Sequence, residues 1–219
     1  MILDSDFFNR DCQDVAKALL GKVIRRKYND LWLSAAILET EAYYLDDKAS
    51  HASLGFTEKR KALFMEPGTI YMYYSRGGDS LNFSCQGLGN AVLIKAARIL
   101  PETSQKAITQ MQQLNPLGIH RKPRPISKLC SGQSLLCKAL DLKVKEWDQK
   151  KCQKESFFVE DTGIRPTKII VTKRLGIPKG RDEHLMLRFI DFNFAAQSSQ
   201  NILKSRTAKE SIDYFIMPY

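Results

Sequence analysis

From Lys22 to Tyr44 the chain is dominated by β-branched, aliphatic and aromatic residues, with a turn-forming break at Tyr28, Asn29 and Asp30. Side chains of this kind pack well on a pleated surface and lose rotamer freedom in a helix, so the run predicts a hairpin. The same character returns in TIYMYY, LNFSC and NAVLIKAARI, and in short stretches near 156–160, 167–172 and 185–190. Helical spacing is found elsewhere. In residues 11–20, Val15, Ala16 and Leu19 follow an Asp that can cap, and Gly21 can end the turn; residues 103–113 and 131–140 can also be helices. The order of elements predicts an α+β fold: a single domain with a curved, largely antiparallel β-sheet core and helices packed to one side.

Size and composition agree with one core. The chain has 219 residues, 43% of them hydrophobic, enough for one sizeable core and short for two. No internal repeat or long low-complexity block interrupts it. Residues 1–192 read as the body. Residues 193–219 read as a tail, partly mobile or docked on the body through the aromatics of IDYFIMPY. No apolar run has spanning length, and the amino terminus carries acids where a secretion signal carries Lys or Arg. The expectation is a soluble protein, cytoplasmic and nucleoid-associated if bacterial, and monomeric by default. Five cysteines with no CxxC pair and three scattered histidines argue for free thiols in a reducing compartment, against a zinc or iron–sulfur site, and for chemistry without a cofactor.

The charge is uneven. Lys and Arg number 34 against 24 Asp and Glu, a formal net charge of +10, which favours a polyanionic partner, nucleic acid ahead of an anionic membrane. Between Thr103 and Leu140 six basic residues (Lys106, Arg121, Lys122, Arg124, Lys128, Lys138) stand without an acid. Between Thr162 and Arg181 there are six more (Arg165, Lys168, Lys173, Arg174, Lys179, Arg181). Two such windows suggest a surface that tracks phosphates. Neither contains a sequence-reading signature, so nucleic acid is expected to be bound non-specifically.

Chemistry concentrates in AAILETEAYY. On a regular strand Ile37, Glu39, Glu41 and Tyr43 share one face, which projects two carboxylates and a tyrosine together. A carboxylate beside aromatics in a partly dry pocket can serve as an acid or base at a glycosidic bond. In GTIYMYYSRGGDSLN, Tyr71 and Tyr73 share a face, with Tyr74 opposite. Tyrosine faces can sandwich a planar base, and Asn82 can both donate to and accept from a base edge. Each tyrosine can equally be core, and the glutamates can equally be surface residues of a non-catalytic nucleic-acid-binding module. A carbohydrate hydrolase using Glu39 and Glu41 as its pair also fits the spacing, but the basic windows do not suit a neutral sugar.

ETEAY with a histidine ten residues after its second Glu, then FMEPGTIYMYY, LNFSCQG, VLIKA, LCSGQSLLCKALDL and RLGIPKGRDEHLMLRFI, resemble the alkyladenine (3-methyladenine) DNA glycosylase family in order and spacing, over roughly residues 5–190. The resemblance implies a monofunctional base-excision repair enzyme that flips damaged purines (3-methyladenine, 7-methylguanine, hypoxanthine, ethenoadenine) from duplex DNA. It would hydrolyse the N-glycosidic bond and leave an abasic site. It implies Glu41 as the general base, Tyr43 and Tyr73 as the stacking rings, His51 as the residue closing the pocket, and Asn82 as the obstruction to guanine. Lys95 stands where some relatives have an Arg that helps place the water. SRGG replaces a YGMY-like turn, leaving Arg76 as the nearest candidate to fill the emptied stack. With Arg76, the residues expected to contact DNA are Arg121, Lys122, Arg124, Lys179 and Arg181.

Phosphate contacts release counterions, so binding to duplex DNA should weaken steeply between about 50 and 200 mM salt. Fluorescence anisotropy with a labelled duplex measures this, and a flat salt response would exclude the charge-driven interface.

Overall fold

The computed structural model describes residues 1–75 and 77–219; the stack-filling candidate Arg76 lies outside the described residues. Two short helices open the chain, α1 (Ser5–Phe8) and α2 (Cys12–Ala18). Asp11 caps α2 through its carboxylate, which accepts from the amide of Gln13 at 2.8 Å. Gly21 then takes φ of 83°, a left-handed conformation open to glycine, in a spot where a Cβ would collide with the Ile164 carbonyl.

The predicted hairpin follows as β1 (Val23–Tyr28) and β2 (Leu31–Tyr43), turning at Asn29 with φ of 50°. Next come β3 (Ile70–Ser75), β4 (Gly78–Ser84) and β5 (Ala91–Arg98), then the helices α3 (Gln105–Leu114), α4 (Gln133–Ala139) and α5 (Val144–Trp147). The remaining strands are β6 (Phe157–Glu160), β7 (Lys168–Thr172), β8 (Arg188–Asp191) and β9 (Tyr214–Pro218). Among the described residues these nine strands form one sheet in the order β3-β4-β5-β2-β8-β7-β9, with β1 paired to β2 and β6 to β1. Every strand pairing is antiparallel. The helices lie to one side, so the fold is the α+β architecture the sequence predicts.

β2 is the spine. Along one edge it pairs with β5; along the other, its first half pairs with β1 and its second half, at Glu39–Glu41, with β8. The segment ETE is therefore flanked by strands on both edges. Its alternation is not regular: the register against β5 slips between Ile37 and Glu39 and again between Glu39 and Thr40. The extra residue reverses the phase. Ile37 packs in the main core with Ala42, and Leu38 joins a smaller cluster with Ile170 and Ile190. Ile37 thus does not share the Glu41 face, as uninterrupted alternation predicts.

The main core lies between the sheet and α2, α3 and α4, with Leu19, Phe83, Ile94 and Leu136 fully buried. Phe83 stacks on Phe8 at 4.9 Å, and burying a side chain of that size contributes about 1.5–3 kcal/mol. The five cysteines carry free thiols; burial pushes Cys130 up to about 12, so it stays protonated and unreactive. Beyond Asp191 a 3-10 turn (Phe192–Gln197) covers the smaller cluster, and β9 then adds to β7 from Lys168↔Pro218 to Thr172↔Tyr214. Among the described residues no helix is long and apolar enough to cross a membrane.

Glu39 fastens this covering turn. Its buried carboxylate accepts from Arg188 Nε at 2.6 Å and from the amide and hydroxyl of Ser199, each at 2.7 Å. Arg188, equally buried, donates in addition to the Gln200 carbonyl at 2.6 Å. Removing one partner of such a pair strands the other charge, so Glu39→Ala should cost about 3–5 kcal/mol in urea unfolding. A loss below about 1 kcal/mol, the range of an exposed pair, would deny Glu39 this structural role.

Candidate active site

One row of cross-strand partners builds the floor. Tyr71 pairs with Asn82, Asn82 with Leu93, and Leu93 with Glu41, so β3, β4, β5 and β2 each place one residue in line. Two positions along β3, β5 and β2, on the same face, lie Tyr73, Lys95 and Tyr43. Above them is a cavity of 630 Å³ lined by Tyr43, His51, Tyr71, Tyr73, Asn82 and Lys95, with the segment from Ala49 through the 3-10 turn Ala52–Leu54, the start of α4 and the loop after β7 as walls. The volume is that of a small-molecule site.

Glu41 has no exposed surface and is not itself part of the lining; its three hydrogen-bond partners are. Oε2 accepts from the Tyr43 hydroxyl at 2.8 Å and from Lys95 Nζ at 3.4 Å, and Oε1 accepts from the Leu175 amide at 3.0 Å. The carboxylate is thus one hydrogen bond below the floor. Burial, followed by the nearby Glu41 charge, holds the Tyr43 hydroxyl well above the usual tyrosine range, which keeps it a donor. Burial also raises Tyr73 and Tyr71.

The aromatic walls brace one another. His51 meets Tyr73 edge-on at 4.5 Å, its Nδ1 is 2.8 Å from the Tyr71 hydroxyl, and Tyr71 and Tyr73 are 5.6 Å apart. The Asn82 amide donates to the Tyr71 carbonyl at 3.0 Å. Gln133, at the start of α4, donates to the Ser80 hydroxyl at 2.8 Å and closes the far end.

The structure brings Glu41, Tyr43, His51, Tyr73, Asn82 and Lys95 to one cavity. It sends the Glu39 carboxylate elsewhere, to Arg188 and Ser199, which dissolves the two-carboxylate pair. The basic windows divide in a similar way. Arg165 pairs with Asp161, Lys173 with Asp213, and Arg174 with Asp47, each acid lying outside the window. Arg174 is fully buried and offers nothing to a phosphate, a correction to the reading of charge along the chain. Arg181 stands at the cavity wall and donates to the Lys48 carbonyl at 2.8 Å, with Lys179 exposed close by. Arg121 and Lys122 are exposed in the loop after α3, whereas Arg124 donates to the Asn115 and Pro116 carbonyls at 3.2 and 3.0 Å. Sequence reasoning missed the Leu175 amide, Gln133 and Asp47. A backbone amide leaves no trace in residue type, and nothing in QS or DDK marks the other two.

The chain matches the methylpurine-DNA glycosylase family over residues 6–193. A Pseudomonas fluorescens protein bearing the provisional name 3-methyladenine DNA glycosylase is 58% identical, across 96% of this chain and 91% of its own length. One of the same name from Pseudomonas syringae pv. syringae is 55% identical across 98% and 96%, and one from Clostridium beijerinckii 36% identical across 81% and 88%. The Pseudomonas similarity therefore continues past residue 193.

His51 gives this geometry a titratable handle. Partial burial, then the charges of Arg60 and Arg181, lower its pKa from the ordinary 6.5, so the ring is neutral at pH 7 and able to accept at one nitrogen. Its contribution to stability is present above about 6.5 and is lost as pH falls through the lowered folded-state value. An NMR titration should place the His51 midpoint below 6.5; a midpoint at or above that value contradicts the assignment.

Proposed function

The chain belongs to the methylpurine-DNA glycosylase family, and from that premise we propose that it flips damaged purines (3-methyladenine, 7-methylguanine, hypoxanthine and ethenoadenine) out of duplex DNA into the aromatic cavity and hydrolyses their N-glycosidic bond with a water activated by Glu41. It is a DNA glycosylase, a hydrolase of base-excision repair. The observation that carries the finer reading is the Glu41 carboxylate, held by Tyr43, Lys95 and the Leu175 amide just beneath a cavity walled by tyrosines.

The proposed chemistry follows from these positions. An extruded purine stacks between Tyr43 and Tyr73, with His51 closing the pocket and Asn82 at the base edge; an exocyclic amine placed against Asn82 is obstructed. Glu41 Oε1 accepts one protein hydrogen bond and keeps a lone pair for water. The water oxygen bonds to the anomeric carbon, its proton passes to Glu41, and the glycosidic electron pair leaves with the base. A purine alkylated at N3 or N7 departs neutral, so the carboxylate needs only to orient the water and stabilise positive charge growing on the sugar. Lys95 positions Glu41. As the lysine that meets the carboxylate, it is also the group a lyase would use. Its Nζ is engaged by the Glu41 carboxylate at 3.4 Å, which commits it to that pair instead of to a Schiff base. The protein would act as a monomer without a cofactor, with Lys179, Arg181 and the Arg121–Lys122 loop on phosphates.

Duplexes each carrying one defined lesion test this without added metal. Strand breaks should appear only after alkali, and borohydride should trap no covalent adduct. Glu41→Gln should slow base release by about 100-fold or more. Release at the wild-type rate by that variant would remove Glu41 as the base, and intact DNA for every lesion would remove the proposed substrates.

A further inference from the structure

The wall behind Tyr43 carries a charge that faces away from the cavity. The side chain of Arg174, two residues after β7, has no exposed surface, and its guanidinium lies 4.6 Å from the centroid of the Tyr43 ring. Tyr43 lines the cavity and Arg174 does not, so the ring stands between the cation and any occupant. Both terminal nitrogens of Arg174 donate to the buried Asp47 carboxylate, the second at 3.0 Å. Others of its donors reach the Ala42 carbonyl at 3.1 Å and the Asp182 carbonyl at 3.4 Å. Arg174 thereby ties β2, the loop after it and the segment before β8 into one unit. The mechanical role brings a positive charge under the ring, and Asp47 cancels it.

We infer that the Arg174–Asp47 ion pair is a specificity determinant: it keeps the wall behind Tyr43 electrically neutral, and so lets the cavity take positively charged purines as well as neutral ones. The inference rests on the reading above, in which the extruded base stacks on Tyr43. A cation is drawn to an aromatic face, and a guanidinium on one face competes with a cationic base on the other. A base in van der Waals contact with the free face, about 3.5–4 Å from the ring, lies roughly 8 Å from the guanidinium. With an effective dielectric near ~20, one uncancelled charge at that range disfavours a cationic base by about tenfold to thirtyfold and leaves a neutral base almost untouched. No solvent lies between to screen it, because Asp47 and Arg174 are both buried. The floor is balanced in the same manner, Lys95 against Glu41.

The test is the ratio of kcat/KM on a cationic lesion, 7-methylguanine, to that on a neutral one, hypoxanthine. Asp47→Asn preserves shape and leaves a guanidinium that cannot shed its proton; the ratio should fall about tenfold or more. The double variant Asp47→Asn/Arg174→Gln, neutral again, should recover the wild-type ratio even where its melting temperature is lower. If Asp47→Asn loses both lesions by the same factor, with the ratio within about twofold of wild type, the pair is only a structural tie and the inference is overturned. If Asp47→Asn does not fold, Arg174→Gln takes its place, read at about pH 9, at the upper end of the range reached by buried carboxyls, with 3-methyladenine as the cationic lesion. Its ratio must then exceed that of the wild type at the same pH, and an unmoved ratio overturns the inference. A wild-type protein that releases neither lesion refutes the function proposed above; release of both with unmoved ratios refutes only the role of this pair.

Discussion

A carboxylate removed wholly from water must be met by donors that the fold supplies, because an uncompensated buried charge costs several kcal/mol. Glu41 is such a carboxylate, and its donors come from three places in the chain: Tyr43 on the same strand, Lys95 from β5, and the Leu175 amide, 134 residues away, from the loop after β7. Each requires a separate element to arrive in register. A small slip of β5 removes the ammonium, and a displaced loop removes the amide. The site is therefore as rigid as the sheet that carries it.

The cavity above the carboxylate depends on ties between segments with little regular structure of their own. The loop after β2 and the segment before β8 are clipped together three times: Arg174 on Asp47, Arg181 on the Lys48 carbonyl, and the Lys48 amide on Asp182. His51 follows directly on one of these segments and Leu175 belongs to the other. The His51 wall of the cavity and the Leu175 amide that meets the Glu41 carboxylate are consequently one mechanical unit. Further along the same face of the sheet Glu39, two residues from Glu41, does a different job, fastening the turn after β8 through Arg188 and Ser199. Neighbouring glutamates of the same strand end in different chemistry because the slip at Leu38 and the strands beside it give them different surroundings.

Much of the fold is legible along the chain. Local signals mark α2, through Asp11 and Gly21, and the β1–β2 hairpin, through its turn at Asn29. The strands β3, β4 and β5 follow from β-branched and aromatic patterning. The slip at Ile37–Thr40 is not legible, since a bulge is decided by which neighbour strand must be matched and not by the residues that bulge. Charge is misread for a related reason. Acid-free windows look free, but Asp161, Asp213 and Asp47 reach in from outside them, and Arg174 turns from a surface cation into a buried tie.

What the sequence by itself determined is the chemistry on offer: a strand with Glu41 and Tyr43, a second with Tyr71 and Tyr73, and an Asn82 and a Lys95 on the strands between, each on a face fixed by local alternation. Only the tertiary structure decided that Tyr71, Asn82, Leu93 and Glu41 form one row, that the Leu175 amide completes the carboxylate's partners, and that Glu39 is excluded. The physical reason is that side-chain direction within a strand is set by steric rules acting over two residues. Register between strands, and the donors that meet a buried charge, are set by packing among segments that are distant in the chain, 54 residues for Lys95 and 134 for Leu175 from Glu41.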